Sequence, residues 1–171
     1  MTVTDDLRKT HRDLWEQAAW HPFIQELGDG SLPLEKFRRY FLQDYVFVKD
    51  LVAVLGLAIA KAPDMDSSGK ISEFQAGILG SEDDLFLRAF KALEVPEQSY
   101  RDITVLPTTT AFGDFLVRNA YEGVFEHICC MLYVTEGVYM DWGTRLKKAG
   151  ASPSTPFYQE WIDIHDEETL G

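Results

Sequence analysis

Two acidic residues stand where helical apolar faces should have none. Asp44 lies in FLQDYVFVKDLVAVLGLAIA, with Tyr40 four residues before it, Phe47 three after and Val48 four after, so those side chains share its face if the segment is a helix. A desolvated carboxylate costs several kcal/mol unless it is paired or hydrogen-bonded. An aspartate here therefore implies a partner or a ligand, the competing placement being the polar side of the helix beside Arg39 and Gln43. Further on, Leu132, Glu136, Tyr139 and Gly143 fall at i, i+4, i+7 and i+11 on one stripe. Glu136 interrupts that apolar surface in the same way. Two carboxylates on separate apolar helices, each escorted by Tyr or Phe, suit acid/base work on a flat heteroaromatic ring. Aromatic side chains stack on such a ring, and carboxylates bind or relay protons to its nitrogens and exocyclic amines. An ordinary core with two peripheral acids is the reading they compete with.

Other chemistries have weaker support. Di-iron centres in helical bundles rest on Glu-x-x-His pairs, and none of the four histidines has a carboxylate three or four residues before it. No metal and no cofactor are expected. His11, on the expected apolar face of the first helix, could be an axial haem ligand, but a lone helical histidine is more often a packing residue. Cys129 and Cys130 are adjacent, cannot readily bridge to each other, and read as small core residues rather than nucleophiles.

The elements that must position these groups are helical almost throughout. Apolar residues recur at helical spacing and strict alternation is scarce, so the fold class is all-α. The first helix is expected from about Asp5 to Trp20, capped by Thr4, with Leu7, His11, Leu14, Trp15 and Ala18 on its inner face, until Pro22 breaks it. HPFIQEL then makes a short helical turn closed by Gly28-Asp29-Gly30. Ser31, Pro33 and Glu35 mark the start of a long helix that Pro63 ends. Residues 63–69 (PDMDSSG) read as a surface loop. A helix follows to Val95 with a kink at Gly80-Ser81, then an irregular segment over 96–107. Thr108 to Thr110 can cap a helix to Gly123, another spans Val124 to Lys148, and Ser154-Thr155-Pro156 opens a last one over FYQEWIDIHDEE. Short connections and no linker suggest a helical bundle in one domain over 1–171.

Composition narrows the partners. Sixteen Lys plus Arg against twenty-eight Asp plus Glu give a net charge of −12, so nucleic acid and anionic membranes are poor partners. The 46% hydrophobic content is that of a folding chain. The N-terminus lacks a basic region followed by an apolar one, and no apolar run approaches about 18 residues. Together with the cysteine usage this suggests a cytoplasmic protein.

HPFIQELGDGSLPLEKFRRYFLQDYVF, from His21 to Phe47, closely resembles the entry segment of the TenA/thiaminase II family, with its His-Pro-Phe, Gly-Asp-Gly turn, Leu-Pro, basic-aromatic helix and Gln-Asp. Glu122-Gly123, the helix with Tyr139 and Gly143, and PFYQEWI from Pro156 to Ile162 agree in order. The resemblance implies a haem-oxygenase-like helical bundle without haem, a homodimer or homotetramer, that hydrolyses C–N bonds in aminopyrimidines released from damaged thiamin. It implies that Asp44 binds the pyrimidine's ring nitrogen and amine, that Phe47 and Phe112 line its slot with Tyr40 beside them, and that Tyr139 supports the nucleophile. Thr135 falls where the commoner branch has its cysteine, which suggests a cysteine-less variant with a short C-terminus. Glu136 is then the candidate base for water, and His165 falls where the family often has a site tyrosine. A pyrimidine-binding or regulatory protein without turnover is the alternative, and a haem- or iron-dependent oxygenase-like enzyme a more distant one.

Overall fold

The computed structural model describes residues 2–170, and among them there are helices and no strands. The chain packs as two units, one of residues up to Pro33 together with those from Leu132, the other of Leu34–Met131.

In the first unit, α1 (Val3–Thr10) begins at a capping box in which Thr2 Oγ1 accepts from the Asp5 amide at 3.2 Å and the Thr2 amide donates to Asp5 Oδ2 at 2.8 Å. The chain then breaks at His11 and resumes as α2 (Arg12–Ala19). The expected single helix from Asp5 is thus two helices, and its cap is Thr2 rather than Thr4. The break also turns the expected inner face outward: Leu7, His11, Leu14 and Ala18 are exposed, and only Trp15 and Ala19 are buried. Next, α3 (Pro22–Asp29) is capped by His21 Nδ1, which accepts from the Phe23 amide at 3.1 Å, and ends at Gly30 with φ +78°, a conformation that favours glycine. From the other end of the chain, α10 (Pro156–Asp163) packs on this region, and the buried Tyr158 hydroxyl donates to the Leu32 carbonyl at 2.8 Å. The last helix does not continue through HDEE as expected. It stops at Asp163, and α11 (Glu167–Leu170) starts with the Glu167 amide bonded to Thr144 Oγ1 at 2.9 Å.

The second unit is organised on α4 (Leu34–Lys61), a 28-residue helix whose Phe37, Phe41, Leu51, Val54, Leu55 and Ala58 are buried. It is followed by α5 (Met65–Gly77), a π-helical turn at Ile78–Glu82, α6 (Asp83–Ala92), α7 (Glu97–Arg101) and α8 (Pro107–Glu122). The π turn falls where Gly80-Ser81 predicts a kink, and Ser81 Oγ donates there to the Gly77 carbonyl at 3.1 Å. Two expectations need correction. Most of the segment read as a loop over 63–69 belongs to α5, because Asp64 Oδ1 accepts from the Ser67 amide at 2.8 Å and caps a helix that tolerates Gly69 in open space. The segment over 96–107 likewise contains α7.

The third correction concerns α8, which is not capped by Thr108 to Thr110. Its N-terminus is held by Gln43 of α4, whose Oε1 accepts from the Leu106 amide and from Thr109 Oγ1, both at 2.9 Å. Its C-terminus is held by Lys61 of the same helix, whose Nζ donates to the carbonyls of Ala120, Tyr121 and Gly123 at 2.7, 2.7 and 2.6 Å. The orphan groups at both ends of α8 thus find partners on α4. The remaining helix, α9 (Phe125–Lys148), carries residues of both units.

Within the first unit, any side chain at Gly143 of α9 would collide with the backbone carbonyl of His165. Gly143→Ala should lower stability by about 1–3 kcal/mol, read as a reduced urea midpoint. Gly69→Ala, in a helix with open space around it, should raise the midpoint, since alanine is favoured over glycine by up to about 1 kcal/mol.

Candidate active site

The stripe Glu136, Tyr139, Gly143 on α9 is the core of the candidate site in the first unit. The close approach that Gly143 permits sets His165 against Tyr139, with ring centroids 4.9 Å apart. Trp142 and Trp161 complete an aromatic box around the imidazole at 5.2 and 4.3 Å. His165 is buried, and burial pushes its pKa down to about 4, against the smaller upward pull of the Trp161 carbonyl 2.7 Å from Nδ1. Burial acts in the opposite sense on Glu136, pushing its carboxyl up to about 7, with a hydrogen bond to Thr135 the lesser, lowering influence. Desolvation disfavours whichever form is charged, hence the two directions. Thr135 is half-buried, and its hydroxyl donates to the Leu132 carbonyl at 3.3 Å.

On another face of α9, Trp15 fixes the register. Its Nε1 donates to Asp141 Oδ2 at 2.7 Å, its ring lies 5.6 Å from that of Tyr133, and its edge stands where a Cβ on Gly137 would be 3.1 Å away. Arg145 bridges Asp141 and Glu16, reaching Glu16 with two bonds of 2.7 and 2.8 Å. Burial alone would raise the Asp141 pKa, but hydrogen bonds from Arg145 and Trp15 overcome it and hold the carboxyl below its ordinary value.

In the second unit Asp44 is buried on α4, as its apolar neighbours require. Phe47 stacks on Phe112 of α8 with centroids 5.2 Å apart and planes 16° from parallel, and Phe112 is exposed. Tyr40 is half-buried, its ring 6.0 Å from that of Phe41. Of the residues singled out in the sequence, the structure thus brings together Phe47 with Phe112, and Tyr139 with His165.

Two features escaped the sequence reading. The tryptophans of the box, Trp142 and Trp161, were not singled out, and their spacing of three residues from Tyr139 and four from His165 is the signal that could have found them. Asp50, one turn beyond Phe47, fits against α8 only because residue 113 is glycine, and burial followed by the charge of Asp114 raises its pKa. Among the described residues no group of three or more His, Cys, Asp or Glu is placed to hold a metal ion, and no helix is long and apolar enough to cross a membrane.

A family profile described as TENA/THI-4/PQQC matches residues 8–171. The chain belongs to this family. It is 28% identical over 165 residues to an aminopyrimidine aminohydrolase of Bacillus subtilis (strain 168), covering 96% of this chain and 69% of that protein. A Helicobacter pylori aminopyrimidine aminohydrolase is 22% identical over 162 residues, or 95% of this chain and 75% of the other. Among solved structures, a TenA homologue from P. horikoshii OT3 superposes with a TM-score of 0.88 at 24% identity, over 99% of this chain and 80% of that one. A TenA family transcription regulator from Silicibacter sp. TM1040 gives 0.88 at 23%, over 98% and 73%. The fold is the all-α, haem-oxygenase-like one of the family. One expectation is overturned: this member is not cysteine-less, because it carries Cys129 and Cys130, both exposed and free of disulfides. Burial, then the neighbouring Cys130 and Glu126, push the Cys129 thiol up and away from the reactive thiolate.

The two shifted groups leave opposite marks on stability. Glu136 holds its proton more tightly folded than unfolded, so its contribution is full below the ordinary pKa of 4.5 and is lost as pH rises through about 7. His165 binds its proton more weakly folded than unfolded, so its contribution is full above 6.5 and is lost as pH falls towards 4. Glu136→Gln should therefore raise the Tm relative to the parent at pH 8 and lose that advantage at pH 5, as differential scanning calorimetry at the two pH values would record.

Proposed function

We propose that this chain is an aminopyrimidine hydrolase of thiamin salvage that uses a carboxylate rather than a thiol. The observation that carries the reading is Glu136, a carboxyl raised to about 7 by burial on the stripe it shares with Tyr139. Such a group is poised near neutral pH to take a proton from water and return it. Water attacks the carbon of the C–N bond as that bond breaks, Glu136 taking the proton of the water and returning it to the departing nitrogen, so an amine and water become an alcohol and ammonia. Tyr139 supports the attacking water, while Thr135 and His165 contact the ligand.

On α4, Asp44 binds the aminopyrimidine by charge-assisted hydrogen bonds to its ring nitrogen and amine, with Phe47 and Phe112 stacking on the ring and Tyr40 beside them. The aminopyrimidine aminohydrolases among the relatives support this substrate class. The raised Cys129 pKa supports the carboxylate route over a thiolate, and the nearly whole-chain family match supports a hydrolase.

Glu136→Gln should abolish ammonia release from an aminopyrimidine, whereas alanine at both Cys129 and Cys130 should leave it nearly unchanged. Asp44→Asn should weaken binding by about tenfold or more, since hydrogen bonds to charged groups contribute about 1.5–3 kcal/mol. Loss of turnover on thiol alkylation, with Glu136→Gln active, would reverse the assignment. Binding without turnover in the parent protein would make it a pyrimidine-binding protein instead.

The same reading includes self-association. Phe115, Tyr121 and Val124 are 57%, 73% and 55% exposed around the end of α8, a concentration of apolar surface that a second copy of the chain would cover. Multi-angle light scattering at micromolar concentration should give the mass of a dimer or tetramer, and a monomer mass would refute it.

A further inference from the structure

Three residues of α9 spaced one turn apart, Tyr133, Gly137 and Asp141, all meet a single indole. The ring of Trp15 lies 5.6 Å from that of Tyr133, its Cη2 stands 3.1 Å from where a Cβ on Gly137 would be, and its Nε1 donates to Asp141 Oδ2 at 2.7 Å. The three positions cover two turns of the helix, about 12 Å at 1.5 Å per residue. Glu136 falls inside that span, one residue before the glycine.

The indole is itself held. Trp15 is 8% exposed, and the Arg8 guanidinium lies 4.9 Å over its ring while bonding to Asp141 Oδ2 at 2.6 Å. Arg145 ties Asp141 to Glu16, the residue after Trp15, and the Tyr133 hydroxyl donates to the Thr4 carbonyl at 3.2 Å. The contacts from α1 and α2 thus fix the indole, and the indole bears on the bare backbone at Gly137. Any side chain there would press it off the helix.

Glu136 lies between this contact and the aromatic box around His165. At about 100° per residue, Gly137 is about 100° to one side of it and Tyr139 about 60° to the other, so the two contacts hold opposite flanks of the carboxyl. The charged side chains on the Trp15 flank, Arg8, Glu16, Asp141 and Arg145, bond to one another. The ionisation of Glu136 answers to burial and to the bond with Thr135 instead. Where burial sets the ionisation of an acid, the setting of the helix that carries it away from water decides the outcome.

We infer that Trp15 is a positioning residue, which splints α9 across Tyr133, Gly137 and Asp141 and so holds Glu136 where its carboxyl serves as the base. This rests on the proposed carboxylate mechanism. Trp15 acts through Glu136 and not on the substrate.

Trp15→Phe keeps an aromatic ring and changes no charge, so a change at Glu136 reports its position and not the surrounding field. Carbon-13 NMR of the glutamate carboxyls, with the Glu136 resonance assigned by its loss in Glu136→Gln, should show a titration at about 7 in the parent protein. In Trp15→Phe it should move by about one pH unit towards the ordinary glutamate value, as a carboxyl does on regaining water. Ammonia release at pH 7 should slow about tenfold to hundredfold in kcat, the cost of a misplaced catalytic group. Its rising limb with pH should shift to lower pH with the titration, while KM stays close to the parent's. Gly137→Ala presses on the indole from the helix side yet favours the helix itself, so it should give the same changes in smaller measure and serves if Trp15→Phe does not fold. If the variants that fold are less stable but keep the parent's Glu136 titration and pH profile, Trp15 is a packing residue, and the inference is overturned with the carboxylate mechanism left standing. A Glu136 that titrates near 4.5 in the parent protein, or a parent without turnover, removes that mechanism and the inference with it.

Discussion

A missing side chain on one helix decides how the first unit closes. At Gly143 the turn after α10 comes down onto α9 so closely that the His165 carbonyl occupies the space a β-carbon would need. That contact delivers Trp161 and His165 to Tyr139 and Trp142, and the resulting box takes water away from the imidazole. The low basicity of His165 is thus a consequence of a backbone approach, not of any charge nearby. Trp15 grips another face of α9 through Gly137 and Asp141. Between the two grips the helix has little freedom to rotate, and rotation by one residue would carry Glu136 about 100° away from the stripe it shares with Tyr139.

Desolvation is the common cause behind both unusual ionisations. It raises an acid and lowers a base, so near neutral pH the first unit presents a carboxyl close to half-protonated and an imidazole without charge. Asp141 shows what happens when partners are supplied: with Arg145 and the Trp15 indole against it, a partly buried carboxyl remains an anion. The difference between Glu136 and Asp141 is therefore one of neighbours. Glu136 has a threonine hydroxyl where Asp141 has a guanidinium.

The helical period made the fold class legible, and prolines at 22 and 63 marked the major breaks, because a residue without an amide hydrogen fits the first turn of a helix but not its interior. The break at His11 carries no such signature. The caps were harder still: the side chain that starts α8 is Gln43, 63 residues before Leu106, and no local pattern can reveal a partner that only tertiary packing supplies. The Glu136, Tyr139, Gly143 stripe could be read from spacing on a single helix. The position of His165 could not, since it depends on how a turn near the end of the chain meets that helix, and the family resemblance alone pointed to it.

The clamps at the two ends of α8 also set its length. Gln43 and Lys61 are 18 residues apart on α4, about 27 Å at 1.5 Å per residue, and the 16 residues of α8 span about 24 Å. One helix thus measures the other. An insertion or deletion within α8 would move one terminus off its clamp by 1.5 Å per residue and turn its side chains by about 100°, unstacking Phe112 from Phe47 or leaving carbonyls at the far end without Lys61. This stretch should vary among related proteins by substitution and not by length, with any change in length confined to the connections outside the two clamps.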